Sequence, residues 1–279
     1  MSFISAIILG LVQGIAEFLP ISSSGHLSVL QNLFNMSTAE DGHLFFDVLL
    51  HLGTLISVCV VYWRDIAEII VDSIEFVQSI GHPRPGGPKQ YPGARLLVMM
   101  GFATLPLFII LPVKKYIDAL YYNTWFIGAA FLVTGLVLFC SDRLRNGHGN
   151  GKNMRVGGAV AVGVAQALAT VPGLSRSGMT ISAGVATGLN RDFAVKFSFL
   201  ISIPAVLGAN VLSLFDAISE GIDFSLLPAY LVGMLVAMVS GYFSVNLVRM
   251  VCRRGQFGKF AYYCWAAGAL TLILSIILL

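Results

Sequence analysis

The chain has 279 residues, of which 57% are hydrophobic and only 11% charged, and its formal net charge at pH 7 is +3. Soluble domains carry about 25% charged residues, so this composition excludes a water-soluble enzyme or a disordered regulator and predicts an integral membrane protein. The basic residues form no continuous face, so we expect no nucleic-acid partner.

Six apolar segments are long enough to span a membrane as helices, which takes about 20 mostly apolar residues. In chain order they cover residues 43–63, 94–112, 124–141, 193–215, 227–248 and 260–279. No Lys or Arg precedes Arg64, so a cleaved signal peptide is not indicated and we expect residue 1 to begin the mature chain. The four cysteines form no CxxC pair, which favours free thiols over a disulfide framework or a zinc site.

Two units of the chain are interrupted rather than continuous. Each has an apolar segment, a proline with a polar run, and a shorter apolar segment: 3–19, Pro20 and 27–34, then 156–171, Pro172 and 179–189. Both units are too short for two full crossings, so we predict two re-entrant helical hairpins. Irregular backbone at membrane depth is tolerated only where protein or a water-filled cavity surrounds it.

The two interrupted units resemble one another in sequence. A shift of 153 residues places Gln13 on Gln166, Ser22 on Ser175, Ser24 on Ser177 and Gly25 on Gly178. Matching interruptions in two halves point to an inverted repeat with a site near the membrane midplane. We therefore predict an all-α polytopic membrane protein with six spanning helices and two re-entrant hairpins. It forms one domain, 1–279, with repeat 1 at about 1–112, repeat 2 at about 156–248, and additional helices at 124–141 and 260–279.

Basic residues are distributed unequally between the loops that these spans define. With the hairpins counted as non-crossing, loops 64–93, 142–155, 190–192 and 249–259 share one side. They hold twelve Lys and Arg, namely Arg64, Arg84, Lys89, Arg143, Arg145, Lys152, Arg155, Arg191, Arg249, Arg253, Arg254 and Lys259. The loops of the other side hold only Lys114 and Lys115. Since cytoplasmic loops are enriched in Lys and Arg, we expect the first side to be cytoplasmic and the first hairpin to open outward.

Ionisable and hydroxyl side chains are concentrated at the two breaks, although charged groups inside a membrane are costly and usually face a functional site. Gln13 and Glu17 are four residues apart and share one helix face. Their oxygens could hold a divalent cation that is bridged to phosphate oxygens. For Gln13, a hydrogen bond between helices is an equally good interpretation.

The run SSSGH follows the first break. Ser22, Ser23 and Ser24 offer hydroxyl nucleophiles or hydrogen-bond donors, and Gly25 lets the backbone approach a ligand closely. His26 titrates near neutrality and could act as a general base to a serine or a water. A plain Ser/Gly-rich helix start is the structural alternative.

The run GLSRSGMT follows the second break. A helix N-terminus with free N–H groups binds anions, and an arginine adds bidentate recognition of phosphate. Arg176 in this position therefore indicates an anionic ligand; the alternative is a salt bridge to Glu17, which would still bring the two motifs together.

Other polar and aromatic residues receive structural interpretations. Asp47 and His51 share one face of the first full span, where we favour hydrogen bonds that support the hairpins. Four aromatic residues are suited to interfacial belts: Trp63, Trp125, Tyr121 and Tyr122. The polar set as a whole fits metal-assisted hydrolysis of a phosphate ester or anhydride carried on a lipid.

Two motifs of the chain resemble a known family. QGIAEFLPISSSGH resembles the (E/Q)xxxE-plus-SSxGH signature of the bacterial undecaprenyl-diphosphate phosphatases of the bacitracin-resistance type, and PGLSRSGMT resembles their PGxSRSGxT signature. The likeness extends over the whole chain. It implies hydrolysis of undecaprenyl diphosphate to undecaprenyl phosphate and phosphate in the bacterial inner membrane, which recycles the carrier of peptidoglycan synthesis and confers bacitracin resistance. It also implies dependence on Mg²⁺ or Ca²⁺.

The resemblance assigns roles residue by residue. It implies that Glu17, His26 and Arg176 are essential, that Ser23 is the nucleophile, and that Glu17 with Gln13 holds the metal. The diphosphate pocket would be lined by Gln13, Ser22, Ser24, Gly25, Gly173, Ser175, Ser177, Gly178 and Thr180. Whether a phosphoserine forms or water attacks directly is left open by these motifs.

Two other classes of protein share some of these features. Acid-phosphatase-like lipid phosphatases need a second histidine after their SR motif, and no histidine follows Ser175 and Arg176. A transporter or lipid flippase fits the inverted repeat but has no need for a serine and a histidine beside a carboxylate. The small residues Gly157, Gly158 and Gly163 are compatible with a homodimer face and equally with packing inside one chain.

Overall fold

The computed structural model describes residues 1–34, 44–79 and 91–278, and this part of the chain is almost entirely helical. Its α-helices are α1 Phe3–Ala16, α2 Ser23–Phe34, α3 Leu44–Val61, α4 Trp63–Ser79, α5 Pro92–Thr104, α6 Lys114–Leu120, α7 Thr124–Arg143, α8 Val156–Leu168, α9 Arg176–Ala186, α10 Arg191–Glu220, α11 Leu227–Arg253 and α12 Lys259–Leu278. The all-α fold class predicted from the sequence is confirmed.

Within the described residues, six helical stretches are long and apolar enough to cross a membrane, as predicted. They are Leu44–Val61, Pro92–Leu120, Thr124–Arg143, Arg191–Ser219, Phe224–Arg253 and Lys259–Ile277. The second stretch is irregular, since 3₁₀ turns at Leu105–Ile109 and Leu111–Val113 join α5 to α6. Each turn contains a proline, which cannot donate the backbone hydrogen bond of a regular α-helix.

The two interrupted units also form as helix, break and helix. Residues 17–22 separate α1 from α2, and residues 169–175 separate α8 from α9. With 13 residues, α8 is about 20 Å long, which is shorter than the roughly 30 Å of bilayer hydrocarbon.

The second unit returns to the level at which it starts. The amide of Gly149, before α8, donates to the Gly188 carbonyl at 3.0 Å, and the Asn190 amide donates to the Gly149 carbonyl at 2.9 Å. Because the two ends of the unit are bonded to one another, α8 and α9 form a hairpin. That each hairpin enters the bilayer and returns to the same face without crossing, the first from outside and the second from inside, stays a prediction.

The loops assigned to one side by the charge count lie together at one end of the helix bundle. The Asp142 carboxylate accepts from the Gly258 amide at 2.7 Å, and Arg191 donates to the Asp142 carbonyl at 3.0 Å. Arg253 forms an ion pair with Asp192. Residues 80–90, with Arg84 and Lys89, lie outside the described residues.

Glycines allow close packing of the helices that hold the hairpins. A Cβ at Gly10 of α1 would lie 2.4 Å from the Gly233 carbonyl oxygen of α11, and one at Gly163 of α8 would lie 2.4 Å from that of Ala103 in α5. Such small-residue contacts are typical of membrane helices. Gly163 therefore packs against another helix of the same chain. This agrees with the second of the two interpretations given above, packing inside one chain.

Candidate active site

Glu17 is the centre of the polar cluster at the first break. It caps the C-terminal end of α1, one turn after Gln13. Its Oε2 atom accepts hydrogen bonds from Gln13 Nε2 at 3.1 Å and from Ser23 Oγ at 2.9 Å. The break itself brings this about, because the chain must reverse between Glu17 and Ser23 for the first turn of α2 to reach the carboxylate.

An ion pair joins the first break to the second. Arg176 Nη2 lies 2.5 Å from Glu17 Oε1, although 159 residues separate them in sequence. The two side chains are only 20% and 9% exposed, so both charges depend on one another for compensation. The salt bridge between Arg176 and Glu17, which the sequence analysis gave as an alternative to an anionic ligand, is therefore present. It brings the SSSGH and GLSRSGMT runs together.

Arg176 also retains hydrogen-bonding capacity. Its Nη1 atom is buried and has no hydrogen-bond partner within the described part of the chain. A guanidinium carries five N–H donors in a planar fork. Arg176 can therefore hold Glu17 with one nitrogen and offer the other to an anionic ligand.

The helices that follow the two breaks begin in the same way. Ser22 Oγ accepts from the Gly25 amide at 3.3 Å and lies 3.4 Å from Ser24 Oγ. In the second unit, Ser175 Oγ accepts from the Gly178 amide at 3.2 Å and lies 3.3 Å from Ser177 Oγ. These are the residue pairs aligned by the 153-residue shift.

The two breaks differ in backbone conformation. Ser22 has φ +68°, the left-handed region that a non-glycine residue rarely adopts, whereas Ser175 has φ −77°. Gly173 supplies the left-handed residue of the second break, with φ +90°. Strained backbone of this kind is concentrated at functional sites.

The breaks are in direct backbone contact. A Cβ at Gly25 would lie 2.9 Å from Gly173 Cα, and Ser177 Oγ donates to the Leu19 carbonyl at 3.3 Å. Thr134 of α7 holds the second break from outside, since its hydroxyl donates to the Gly173 carbonyl at 2.9 Å and accepts from the Ser175 amide at 3.2 Å. Sequence reasoning missed Thr134, because a threonine within an apolar span carries no distinguishing pattern.

His26 is part of the cluster but is turned away from Ser23. Its Nδ1 lies 2.7 Å from the Ser22 carbonyl oxygen, and its Nε2 lies 2.8 Å from the hydroxyl of Tyr263 in α12. Both ring nitrogens are therefore engaged. The carboxylate of Glu17, and not His26, is the group within hydrogen-bond reach of the Ser23 hydroxyl.

Tyr121, in the loop before α7, is a second residue that sequence reasoning missed. The sequence suggested an interfacial belt position, and Tyr122, which is 74% exposed, fits that role. The Tyr121 hydroxyl instead interacts with Ser24 and lies 3.4 Å from the Thr170 carbonyl oxygen. It thereby contacts both breaks.

Other predicted residues have partners that limit their access to a ligand. Thr180 is buried and bonds to the Arg176 carbonyl at 2.8 Å and to Ser198 of α10 at 2.5 Å. It thereby joins α9 to α10. His51 Nδ1 bonds to the Asp47 carbonyl at 2.9 Å within α3; that this pair supports the hairpins stays a prediction.

The oxygens beside Glu17 fit a divalent cation only if substrate completes the coordination. Gln13 Oε1 is buried and unpartnered, next to a carboxylate. Among the described residues there is no group of three or more His, Cys, Asp or Glu side chains that could hold a metal. Mg²⁺ is often bound by one or two protein groups together with substrate phosphates, and Gln13 with Glu17 fits that arrangement.

The six candidate spans of the described residues, with a carboxylate, hydroxyls and an arginine gathered at two helix breaks, define a polytopic membrane protein with a buried polar site. The chain belongs to the family of the bacitracin resistance protein BacA, whose model matches residues 6–270.

Relatives of known annotation match along almost the whole chain. An undecaprenyl-diphosphatase of Carboxydothermus hydrogenoformans is 39% identical over an alignment of 281 positions, which covers 99% of this chain and 98% of that protein. One of Methanobrevibacter smithii is 40% identical over 282 residues, with 99% of each chain covered. One of Methanosphaera stadtmanae is 38% identical over 285 residues, with both chains fully covered.

Proposed function

We propose that this protein hydrolyses undecaprenyl diphosphate to undecaprenyl phosphate and inorganic phosphate. The observation that carries the proposal is the ion pair between Glu17 and Arg176, which brings the two motifs into one site and leaves a buried guanidinium nitrogen free for a phosphate. The named relatives and the family support the same reaction. By restoring the monophosphate carrier, the protein serves peptidoglycan synthesis and resistance to bacitracin.

Arg176 and the N-terminus of α9 would hold the terminal phosphate. Arg176 is the first residue of α9, so its guanidinium belongs to a helix N-terminus, an end that favours an anion. These donors are fixed before substrate arrives, and fixed donors stabilise the charge that spreads over the phosphoryl oxygens in the transition state.

Ser23 is the group positioned to attack. Its hydroxyl already donates to Glu17, so the carboxylate can take the proton as the Ser23 oxygen, or a water in its place, bonds to the terminal phosphorus. The bridging P–O bond then breaks and undecaprenyl phosphate leaves. If Ser23 is the nucleophile, water hydrolyses the phosphoserine in a second step.

A divalent cation, Mg²⁺ or Ca²⁺, would neutralise charge on the diphosphate when bound beside Gln13 and Glu17.

We place the protein in the bacterial inner membrane, with the basic loops cytoplasmic and the first hairpin open to the periplasm. The sequence left a homodimer open, and the mass of the detergent-solubilised protein decides between a monomer and a dimer.

The test is the products formed from undecaprenyl diphosphate by the detergent-purified protein. We expect inorganic phosphate and undecaprenyl phosphate in equal amounts, loss of both with EDTA, and recovery with Mg²⁺ or Ca²⁺. Undecaprenyl phosphate offered as substrate should release no phosphate. A folded protein that releases none from the diphosphate with either metal would contradict the proposal and favour a transporter.

A further inference from the structure

Tyr263 reaches the site from α12, one of the two additional helices that the sequence analysis set outside both repeats. Its hydroxyl lies 2.8 Å from His26 Nε2, and the two rings are stacked with centroids 5.6 Å apart at an interplanar angle of 19°. Phe131 of α7 also packs on the imidazole, with centroids 4.8 Å apart and an interplanar angle of 64°. The helices α7 and α12 together thus hold the His26 ring.

The partners of His26 determine its tautomer. Nδ1 faces the carbonyl oxygen of Ser22, which can only accept, so Nδ1 carries a hydrogen. In the neutral ring Nε2 then has a lone pair and accepts from the Tyr263 hydroxyl. When the ring is protonated, the same hydroxyl can accept instead, because a phenol both donates and accepts. The contact is therefore preserved in either state of the ring.

We propose that Tyr263 is a positioning residue for His26: its hydroxyl holds Nε2 and thereby fixes the orientation of the imidazole at the start of α2, with Nδ1–H on the Ser22 carbonyl. The inference rests on the proposed phosphatase function. It gives α12 a role at the site, because this helix lies against α7 and the first hairpin and supplies the partner of Nε2.

Tyr263→Phe tests this, since it removes the hydroxyl and keeps the stacked ring. Tyr262→Phe is the matched control, because Tyr262 is the neighbouring residue in the sequence. Its side chain is 62% exposed and packs edge-on against Trp265. We expect Tyr263→Phe to lower kcat about tenfold with little change in KM, the size of one lost hydrogen bond. Tyr262→Phe should match the wild type.

A second readout follows the ring itself. In protein labelled with ¹⁵N-histidine, the Nε2 resonance of His26, assigned by its loss in His26→Gln, should move downfield in Tyr263→Phe as its lone pair loses a donor. It should stay in place in Tyr262→Phe. If the Nε2 resonance of His26 does not move in Tyr263→Phe, the inference is overturned. It is also overturned if the resonance moves but kcat stays unchanged. A wild type without phosphatase activity would contradict the proposed function, while the resonance would still report on the contact.

Discussion

Glu17 receives hydrogen bonds from three side chains, Gln13, Ser23 and Arg176, of which the last comes from the other half of the chain. Its position at the C-terminal end of α1 is otherwise unfavourable, because a carboxylate there faces the negative end of the helix dipole. The guanidinium of Arg176 offsets this. The pair should therefore contribute to folding as well as to chemistry.

Loss of either partner should destabilise the protein more than loss of both. Glu17→Gln leaves Arg176 without its counter-charge, and Arg176→Gln leaves Glu17 without its own. We expect a coupling of about 2 kcal/mol in a double-mutant cycle, measured by denaturation in detergent micelles. Strictly additive losses would show that the ion pair contributes nothing to stability.

Tyr121 and Tyr122 provide a matched pair at the site. Tyr121→Phe removes a hydroxyl that contacts Ser24 and the Thr170 carbonyl, whereas Tyr122 is exposed. We expect Tyr121→Phe to lower kcat/KM for undecaprenyl diphosphate about five- to tenfold, and Tyr122→Phe to leave it unchanged. Equal effects of the two substitutions would place Tyr121 outside the site.

At the scale of elements, two short helices begin side by side, and each is capped by a serine whose hydroxyl accepts from a glycine amide three residues on. The glycines do more than complete these caps. Gly25 of α2 faces Gly173 of the second break. A Cβ at Gly25 would also lie 2.8 Å from the ring of Phe131. The separation of the two breaks thus depends on the absence of a side chain.

Gly25→Ala should therefore disturb the site and Gly101→Ala should not. The first adds a methyl group against the Gly173 backbone, and the second adds one where no other atom lies within 4 Å. We expect at least a tenfold loss of phosphate release and a lower Tm for Gly25→Ala, since backbone cannot move aside cheaply. Gly101→Ala should keep activity, with a Tm equal to or above that of the wild type. Comparable behaviour of the two variants would refute the close approach.

Sequence patterns predicted the spans and the paired serines because both depend on local rules, apolar length and helix capping. The 153-residue shift found the residues whose hydrogen bonds repeat. It could not show that Ser23 faces Glu17 and that His26 faces Tyr263, since both follow from how the reversed chain packs. Thr134, Tyr121 and Tyr263 were missed for the same reason: each is an ordinary residue of a span or loop until tertiary packing brings it to a break.

For the whole molecule, the loops rich in Lys and Arg converge at one end of the bundle, where backbone bonds join Gly149 to Gly188 and Asn190. With 30 residues, α10 is about 45 Å long and carries the chain from this end to the opposite one. By the positive-inside rule we expect the shared end to be cytoplasmic.

Cysteine labelling tests this topology. His148, Thr187 and Ser219 are exposed, and the first two flank the α8–α9 hairpin. In intact cells, an impermeant maleimide should modify Ser219→Cys, while His148→Cys and Thr187→Cys should react only after permeabilisation. The wild type, with its native cysteines, gives the background. Labelling of His148→Cys and Thr187→Cys from opposite sides would mean that the hairpin crosses the membrane.

The most direct measurement is phosphate release from undecaprenyl diphosphate by the wild type beside one variant from each break, Ser23→Ala and Arg176→Ala. A single site made by both breaks predicts metal-dependent release by the wild type and at least a hundredfold loss in each variant, with the variants still folded. Near-normal release by Ser23→Ala or by Arg176→Ala would show that one break acts alone, and would contradict the joint site.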